Sequence, residues 1–347
     1  MQRVYLDYNA TSPLRAEARA AMIAAMDALG NPSSVHAEGR AAKAILEKAR
    51  SQISEAVGAS GADIVFTSSA TEAAALALSG RGLAGAAVEH DAVRAYADAS
   101  LPVDGDGRVA VGDPRASTLQ LANSETGVMQ DLPQGIAVSD FTQAFGKVPV
   151  SFAWSGADMA LVSAHKLGGP KGVGALIIRQ GLDVPALIRG GGQEMGRRSG
   201  TENVIGIAGF GAAAEAAQRD LETGVWSRVE EFRNILEITL EGFAREIIFV
   251  GKSAPRLPNT SCFIAPGWKG ETQVMQMDLA GFAVSAGSAC SSGKVKASGV
   301  LKAMGHTEDE AAQALRVSIG PATTEEDVRR FAETWAAKYE RFRARAA

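Results

Sequence analysis

Apolar residues step by four along the early chain. Ala41, Ile45, Ala49, Ile53 and Val57 would share one helix face, and Gly58 supplies a C-terminal stop. The pattern then changes: Ile64-Val65-Phe66-Thr67 is short and almost wholly apolar, which predicts a buried strand. Ser68-Ser69-Ala70-Thr71-Glu72 leads from it into Ala73-Ala74-Ala75-Leu76. A strand, a turn of small residues and a helix N-terminus in that order make a βα unit with an anion site at its turn. Further short buried strands are predicted at 119–122, 136–139, 159–163 and 174–178. Strands of this kind interleaved with helices imply a mostly parallel sheet in an α/β layer fold.

From about Val225 the texture differs. A long helix (226–245) precedes strands at 247–250, 261–264 and 283–285, which predicts a smaller α+β unit in the C-terminal third. Phe331, Trp335, Tyr339 and Phe342 recur at helical spacing within the Arg-rich stretch 329–345, as in a docked amphipathic helix with a solvated basic face.

Composition narrows the function classes. At 347 residues, 46% hydrophobic and 21% charged, the chain has the length for two domains and is not disordered. No stretch approaches the ~18 consecutive apolar residues of a membrane span, and the start lacks the basic and apolar segments of a signal peptide. Lys and Arg total 35 against 39 Asp and Glu, a net charge of -4, which argues against a nucleic-acid partner. Two cysteines, Cys262 and Cys290, make no disulfide framework and no Cys-x-x-Cys pair. A cytoplasmic protein without a metal site is expected.

The stretch Ser163-Ala164-His165-Lys166-Leu167-Gly168-Gly169 carries the first chemical signal. A lysine at the end of a buried strand, entering a glycine loop, is placed where α/β proteins hold reactive groups. Desolvation there would make its amine available for a Schiff base, although a solvated surface lysine has the same local pattern. Asp140 ends another apolar strand 26 positions earlier and is followed by Phe141-Thr142-Gln143. A lysine for an aldehyde and an acid for a ring nitrogen suit pyridoxal phosphate. The helix start at Ser69-Ala70-Thr71 would take its phosphate. His90 is a flat partner for its ring, or a structural histidine. Cys290, in a Gly/Ser-rich segment, has the surroundings of a nucleophile, whereas Cys262 in an apolar strand reads as core. Arg316 stands inside an apolar strand pattern, where it requires either a structural counter-ion or a substrate carboxylate.

With these residues in place, the sequence resembles the cysteine desulfurases of the iron–sulfur cluster-assembly type, within the class V, fold type I, pyridoxal phosphate enzymes. The resemblance runs over nearly the whole chain. It includes Tyr5-Leu6-Asp7-Tyr8-Asn9-Ala10-Thr11-Ser12-Pro13, Gly30-Asn31-Pro32-Ser33-Ser34, Ser69-Ala70-Thr71-Glu72, Gly190-Gly191-Gly192-Gln193-Glu194, Arg197-Arg198-Ser199-Gly200-Thr201-Glu202-Asn203, Leu257-Pro258-Asn259-Thr260 and the Cys290 segment.

The resemblance implies a large α/β domain over 12–240 with a mostly parallel sheet. A small α+β domain would be made of 1–11 with 241–347. It implies that Lys166 forms the Schiff base, Asp140 pairs with the ring nitrogen, His90 stacks on the ring and Gln143 contacts the ring hydroxyl. Ala70, Thr71, Ser163 and His165 would hold the phosphate, with Thr201 from the other subunit of a homodimer. Arg316 would bind the carboxylate of L-cysteine. Cys290 would accept its sulfur as a persulfide, leaving L-alanine, and pass it to an acceptor protein of unspecified identity.

Departures from the family pattern are visible. Ser124 stands where the family has an asparagine ring contact, with Asn123 one place earlier. The segments between Thr71 and His90, His90 and Asn123, and Gly127 and Asp140 are short for the family. Rival readings are an aminotransferase or selenocysteine lyase of the same fold, and a non-catalytic paralogue acting as a binding partner.

Overall fold

The computed structural model describes residues 3–287 and 297–346. The chain opens with strand β1 (Val4–Tyr5) and helices α1 (Ala16–Met26) and α2 (Ala37–Ala56). Strand β2 (Asp63–Thr67) feeds helix α3 (Ala70–Leu78), followed by β3 (Ala84–Ala86), α4 (Asp91–Arg94) and β4 (Asp98–Leu101). Next come β5 (Ser139–Asp140), β6 (Met159–Ser163), β7 (Gly174–Ile178) and the long helices α5 (Val204–Glu222) and α6 (Val225–Phe243). The last third holds β8 (Ile248–Phe249), β9 (Thr260–Ile264), α7 (Gly270–Leu279), β10 (Phe282–Ala283) and β11 (Ser285–Ala286). It closes with α8 (Gly299–Ala303), α9 (Glu308–Ala312), β12 (Ala314–Ser318) and α10 (Glu325–Ala346).

The large sheet has the order β2-β7-β6-β5, and every residue of β6 and β7 is buried. It continues past β5 through parallel bridges Thr118↔Val138 and Ala84↔Ser117 to the parallel pair β3-β4. Strand β7 alone among these runs antiparallel to its neighbours, β2 and β6. The sheet is thus mostly parallel with one reversed strand. Buried runs at 159–163 and 174–178 fold as their composition predicts. The stretch 119–122 differs, forming a single isolated bridge, Ala122↔Met129, instead of a strand. The amides of Leu119 and Leu121 do pair with Val138 O and Asp140 O. The amide of Gln120, which would extend the ladder on the other side, donates instead to the Glu89 carboxylate at 2.7 Å. At 136–139 regular pairing is confined to β5, and at 283–285 Val284 separates β10 from β11.

Helix α2 ends as its sequence predicts, with Gly58 at φ +61, but its buried face is rotated from the predicted one. Ala42, Leu46, Ala49 and Ile53 are buried, while Ala41 is exposed and Ile45 half-buried. The cause is α5, which packs on that side and contributes Phe210, Ala213 and Ala214 to the same apolar cluster.

A second core gathers Val4 and Leu6 with residues from α6 onward. Residues 226–240 of α6, assigned above to the large domain, contribute to this second core. Its sheet, β11-β12-β9-β8, is antiparallel throughout. Phe331, Trp335 and Tyr339 of α10 are buried in it, and Trp335 stacks on Tyr339 at 4.9 Å. β1 pairs in parallel with β10. The arm that follows β1 then runs from the second core across to the end of β6, where the Ser12 amide donates to His165 O at 2.9 Å. Among the described residues, no helix is long and apolar enough to cross a membrane.

Candidate functional site

The ends of β5 and β6, the N-terminus of α3 and the loop before α4 converge on one cavity of about 300 Å³. Ala70, Thr71, His90, Ser124, Asp140, Gln143, Ser163, His165 and Lys166 all line it. Nine residues picked from separate stretches of sequence are therefore brought together. Two others lie elsewhere. Thr201 sits exposed between Gly200 and α5 and is not among the lining residues, and Arg316 lies beside the cavity in β12. Cys290 lies outside the described residues.

Helix α3 approaches the sheet closely because β7 starts with a glycine. A Cβ at Gly174 would stand 2.6 Å from Ser69 C, 2.7 Å from Val162 O and 2.9 Å from Ala70 N. Ser69 caps the helix by accepting from Glu72 N at 3.3 Å. The amides of the first turn point out of the helix, where an anion is favoured by geometry and by the helix dipole.

Lys166 follows β6 in a single turn of 3-10 helix, and its Nζ donates to Asn9 O at 2.6 Å and Ala10 O at 3.0 Å. The Ser12 hydroxyl donates to Lys166 O at 2.8 Å, so the N-terminal arm holds this lysine at both ends. His165 Nδ1 lies 3.2 Å from Thr11 Oγ1. Burial, aided by the charges of Lys166 and Lys171, pushes its pKa down to about 4, so its ring is neutral at pH 7.

Asp140 closes β5, and its Oδ1 accepts from Thr142 N at 2.8 Å. His90 Nδ1 accepts from Ala92 N at 3.1 Å, which puts the ring proton of the neutral imidazole on Nε2. Behind both lies Glu89, 2% exposed, with a pKa pushed up to about 8 by burial and by the Asp140 charge. Gln120 Nε2 and Thr142 Oγ1 belong to cavity-lining residues, are buried, and have no hydrogen-bond partner. Orphaned polar atoms at a cavity wall match a polar ligand.

Arg316 is 2% exposed. Its Nη2 pairs with Asp7 Oδ1 at 2.7 Å, its Nη1 donates to Ser124 O at 3.1 Å, and its Nε has no partner. A structural counter-ion and an unsatisfied donor thus coexist on one guanidinium. Asn123 serves the turn instead of the cavity, since its Oδ1 accepts from Glu125 N and Thr126 N at 2.8 and 2.9 Å. Cys262 is fully buried in β9, and burial pushes its thiol up to about 12, so it is core.

Sequence reasoning missed Asn9 and Lys147. Asn9 joins Lys166, Gln143, Ser124 and Thr260 through hydrogen bonds, and Lys147 is buried beside it. The visible signal was a lysine inside the largely apolar run Ala144-Phe145-Gly146-Lys147-Val148, four residues after Gln143.

Comparison with known proteins gives a consistent result. Residues 4–94 and 112–331 match the family described as aminotransferase class-V. The chain is similar to a cysteine desulfurase of Cereibacter sphaeroides, 38% identical, with 96% of this chain and 95% of that one covered. It is also similar to the cysteine desulfurase IscS of Dictyoglomus turgidum, 35% identical over 94% of this chain and 92% of that protein. The X-ray structure of a NifS-like protein from Rickettsia africae superposes with a TM-score of 0.88 at 30% identity, covering 98% of this chain and all of that one. SspA in complex with cysteine superposes with a TM-score of 0.75 at 26% identity, over 92% of this chain and 100% of that one.

Proposed function

The chain belongs to the aminotransferase class-V family and, within it, to the cysteine desulfurases, and from that premise we propose how its own residues take sulfur from L-cysteine. The observation that carries the assignment of roles is the convergence of Lys166, Asp140, His90, Gln143 and the α3 N-terminus on one cavity. The donor set fits pyridoxal phosphate, the cofactor of the family. When bound, that group supplies an aldehyde for an amine and a protonated ring that withdraws electron density from the substrate.

The residues divide the work. The amides of Ala70 and Thr71, with the Thr71 and Ser163 hydroxyls and neutral His165, bind the phosphate. Asp140 would keep a proton on the ring nitrogen, His90 would lie against the ring, and Gln143 and Ser124 would contact its hydroxyl. Lys166 would hold the aldehyde carbon through its amine, and its Nζ is the group that would move the proton at the substrate Cα. Arg316 receives the substrate carboxylate on its unsatisfied edge. The Cys290 thiolate attacks the substrate sulfur, the Cβ–S bond breaks, and the carbon keeps the electron pair and gains a proton. L-Alanine leaves and Cys290 holds a persulfide, which a second thiol reduces to sulfide or an acceptor protein takes away.

Thr201, exposed on its own subunit, would complete the phosphate site of a partner copy in a homodimer. Holding the protein at concentrations where it is monomeric should then release cofactor, and a monomer that keeps it fully would exclude this role.

Titration of the purified protein with pyridoxal phosphate tests the assignment. The parent should gain a visible absorption band and Lys166→Ala should not. An identical band in both would remove Lys166 from the role.

A further inference from the structure

Lys147 is 1% exposed and has no part in the chemistry above. Its Nζ donates to Gln143 Oε1 at 2.6 Å and to Asn9 Oδ1 at 3.1 Å. Both acceptors are fixed in orientation by their other bonds. Asn9 Nδ2 donates to Ser124 O at 3.1 Å and to Thr260 Oγ1 at 2.9 Å, and Asn259 Nδ2 donates to the same Oδ1 at 3.0 Å. Gln143 Nε2 donates to Asn9 O at 3.0 Å, the carbonyl that also accepts from Lys166 Nζ. One asparagine therefore meets both lysines, with its backbone oxygen on Lys166 and its side-chain oxygen on Lys147.

The Lys147 amine has two acceptors among the described residues. An ammonium has three N–H donors to satisfy, a neutral amine two. Burial and the nearby charges of Lys166 and Arg316 also hold its pKa well below the ordinary lysine value. Count and surroundings agree on the uncharged form. The charged and titratable groups that act on it are Lys166 and Arg316, with His165 within reach of its electrostatic influence. An uncharged donor here orients two amides without adding a further positive charge beside Lys166.

We propose that Lys147 is a positioning residue which, as a neutral two-hydrogen donor, sets the direction in which Gln143 and Asn9 face the cavity and Lys166. With Nζ committed to Gln143 Oε1, the amide cannot turn over, and its nitrogen stays toward Asn9 O. Removal of the amine lets the Gln143 amide rotate and unties one of the bonds that fix Asn9. The inference rests on Lys166 and Gln143 lining the cofactor site.

The experiment compares full-length parent, Lys147→Met and Lys147→Gln, each loaded with pyridoxal phosphate, by pH titration of the visible absorption band. The Met variant keeps the size of the side chain and removes both donated bonds, and its titration midpoint should move by about one pH unit. The Gln variant is uncharged and keeps an N–H donor pair, so it should hold the parental midpoint within roughly a third of that shift. A parental midpoint in the Met variant overturns the proposal, and so does a Gln variant shifted as far as Met. If the Met variant does not fold, the Gln variant decides alone, a retained midpoint supporting and a shifted one refuting. Failure of the parent itself to develop the band would be a failure of the cofactor reading, and is thereby told apart.

Discussion

Gly174→Ala puts the link between packing and cofactor binding to a quantitative test. The added Cβ would meet Ser69 C, Val162 O and Ala70 N at 2.6, 2.7 and 2.9 Å, all backbone atoms that no rotamer change can move. Carbon atoms pack at about 3.5–4.0 Å, so the α3 N-terminus and β6 must part by about 1 Å. Overpacking of this kind costs about 1–3 kcal/mol of stability. The same displacement takes the first-turn amides off the phosphate. Loss of one hydrogen bond to a charged group is worth about 1.5–3 kcal/mol, which is roughly 10–150-fold in affinity. Cofactor titration and thermal unfolding of parent and variant measure both effects. Gly112→Ala, where a Cβ would meet nothing within 4 Å, is the control and should alter neither. Parental cofactor affinity in Gly174→Ala would refute the placement of the phosphate at the α3 N-terminus.

Three further outcomes follow from buried groups. Asp7→Ala leaves the Arg316 charge buried without its counter-ion and should cost about 3–5 kcal/mol in denaturant unfolding, with a smaller cost showing that the pair is not structural. In the fold Glu89 keeps its proton until about pH 8, whereas an unfolded glutamate loses it near 4.3. Its contribution is therefore full below the ordinary carboxylate range and is lost as pH rises toward 8. Glu89→Gln, with no proton to lose, should gain stability relative to the parent between about pH 5 and 8, and a constant difference across that window would contradict the assignment. Cys262→Ala should cost about 1–3 kcal/mol and leave sulfide release from L-cysteine unchanged, because that thiol is core.

The parts of the site that were legible in the sequence share a local cause. Met159–Ser163 and Gly174–Ile178 are fully buried strands, so their apolar runs mark both their type and their bounds. Lys166 and Asp140 are read at strand ends, and Ala70 and Thr71 at a helix start, because topology gathers such ends on one side of a sheet. What was not legible depends on contacts made across the chain. The rotated face of α2 answers to α5, more than 140 residues later, and the interrupted ladder at Gln120 answers to Glu89. Asn9 and Lys147 are 138 positions apart, and neither residue carries a local pattern that announces the other. The Asp7 partner of Arg316 is likewise a contact between the N-terminal arm and β12.

The most direct test of the central claim is the product balance from L-cysteine in the presence of a reducing thiol, measured on the parent and on Cys290→Ala. The account predicts alanine and sulfide in equal amounts from the parent. It predicts neither from the variant, which should still take up pyridoxal phosphate, since binding rests on Lys166, Asp140 and the α3 N-terminus. Full sulfide release without Cys290, or a keto acid in place of alanine from the parent, would contradict it.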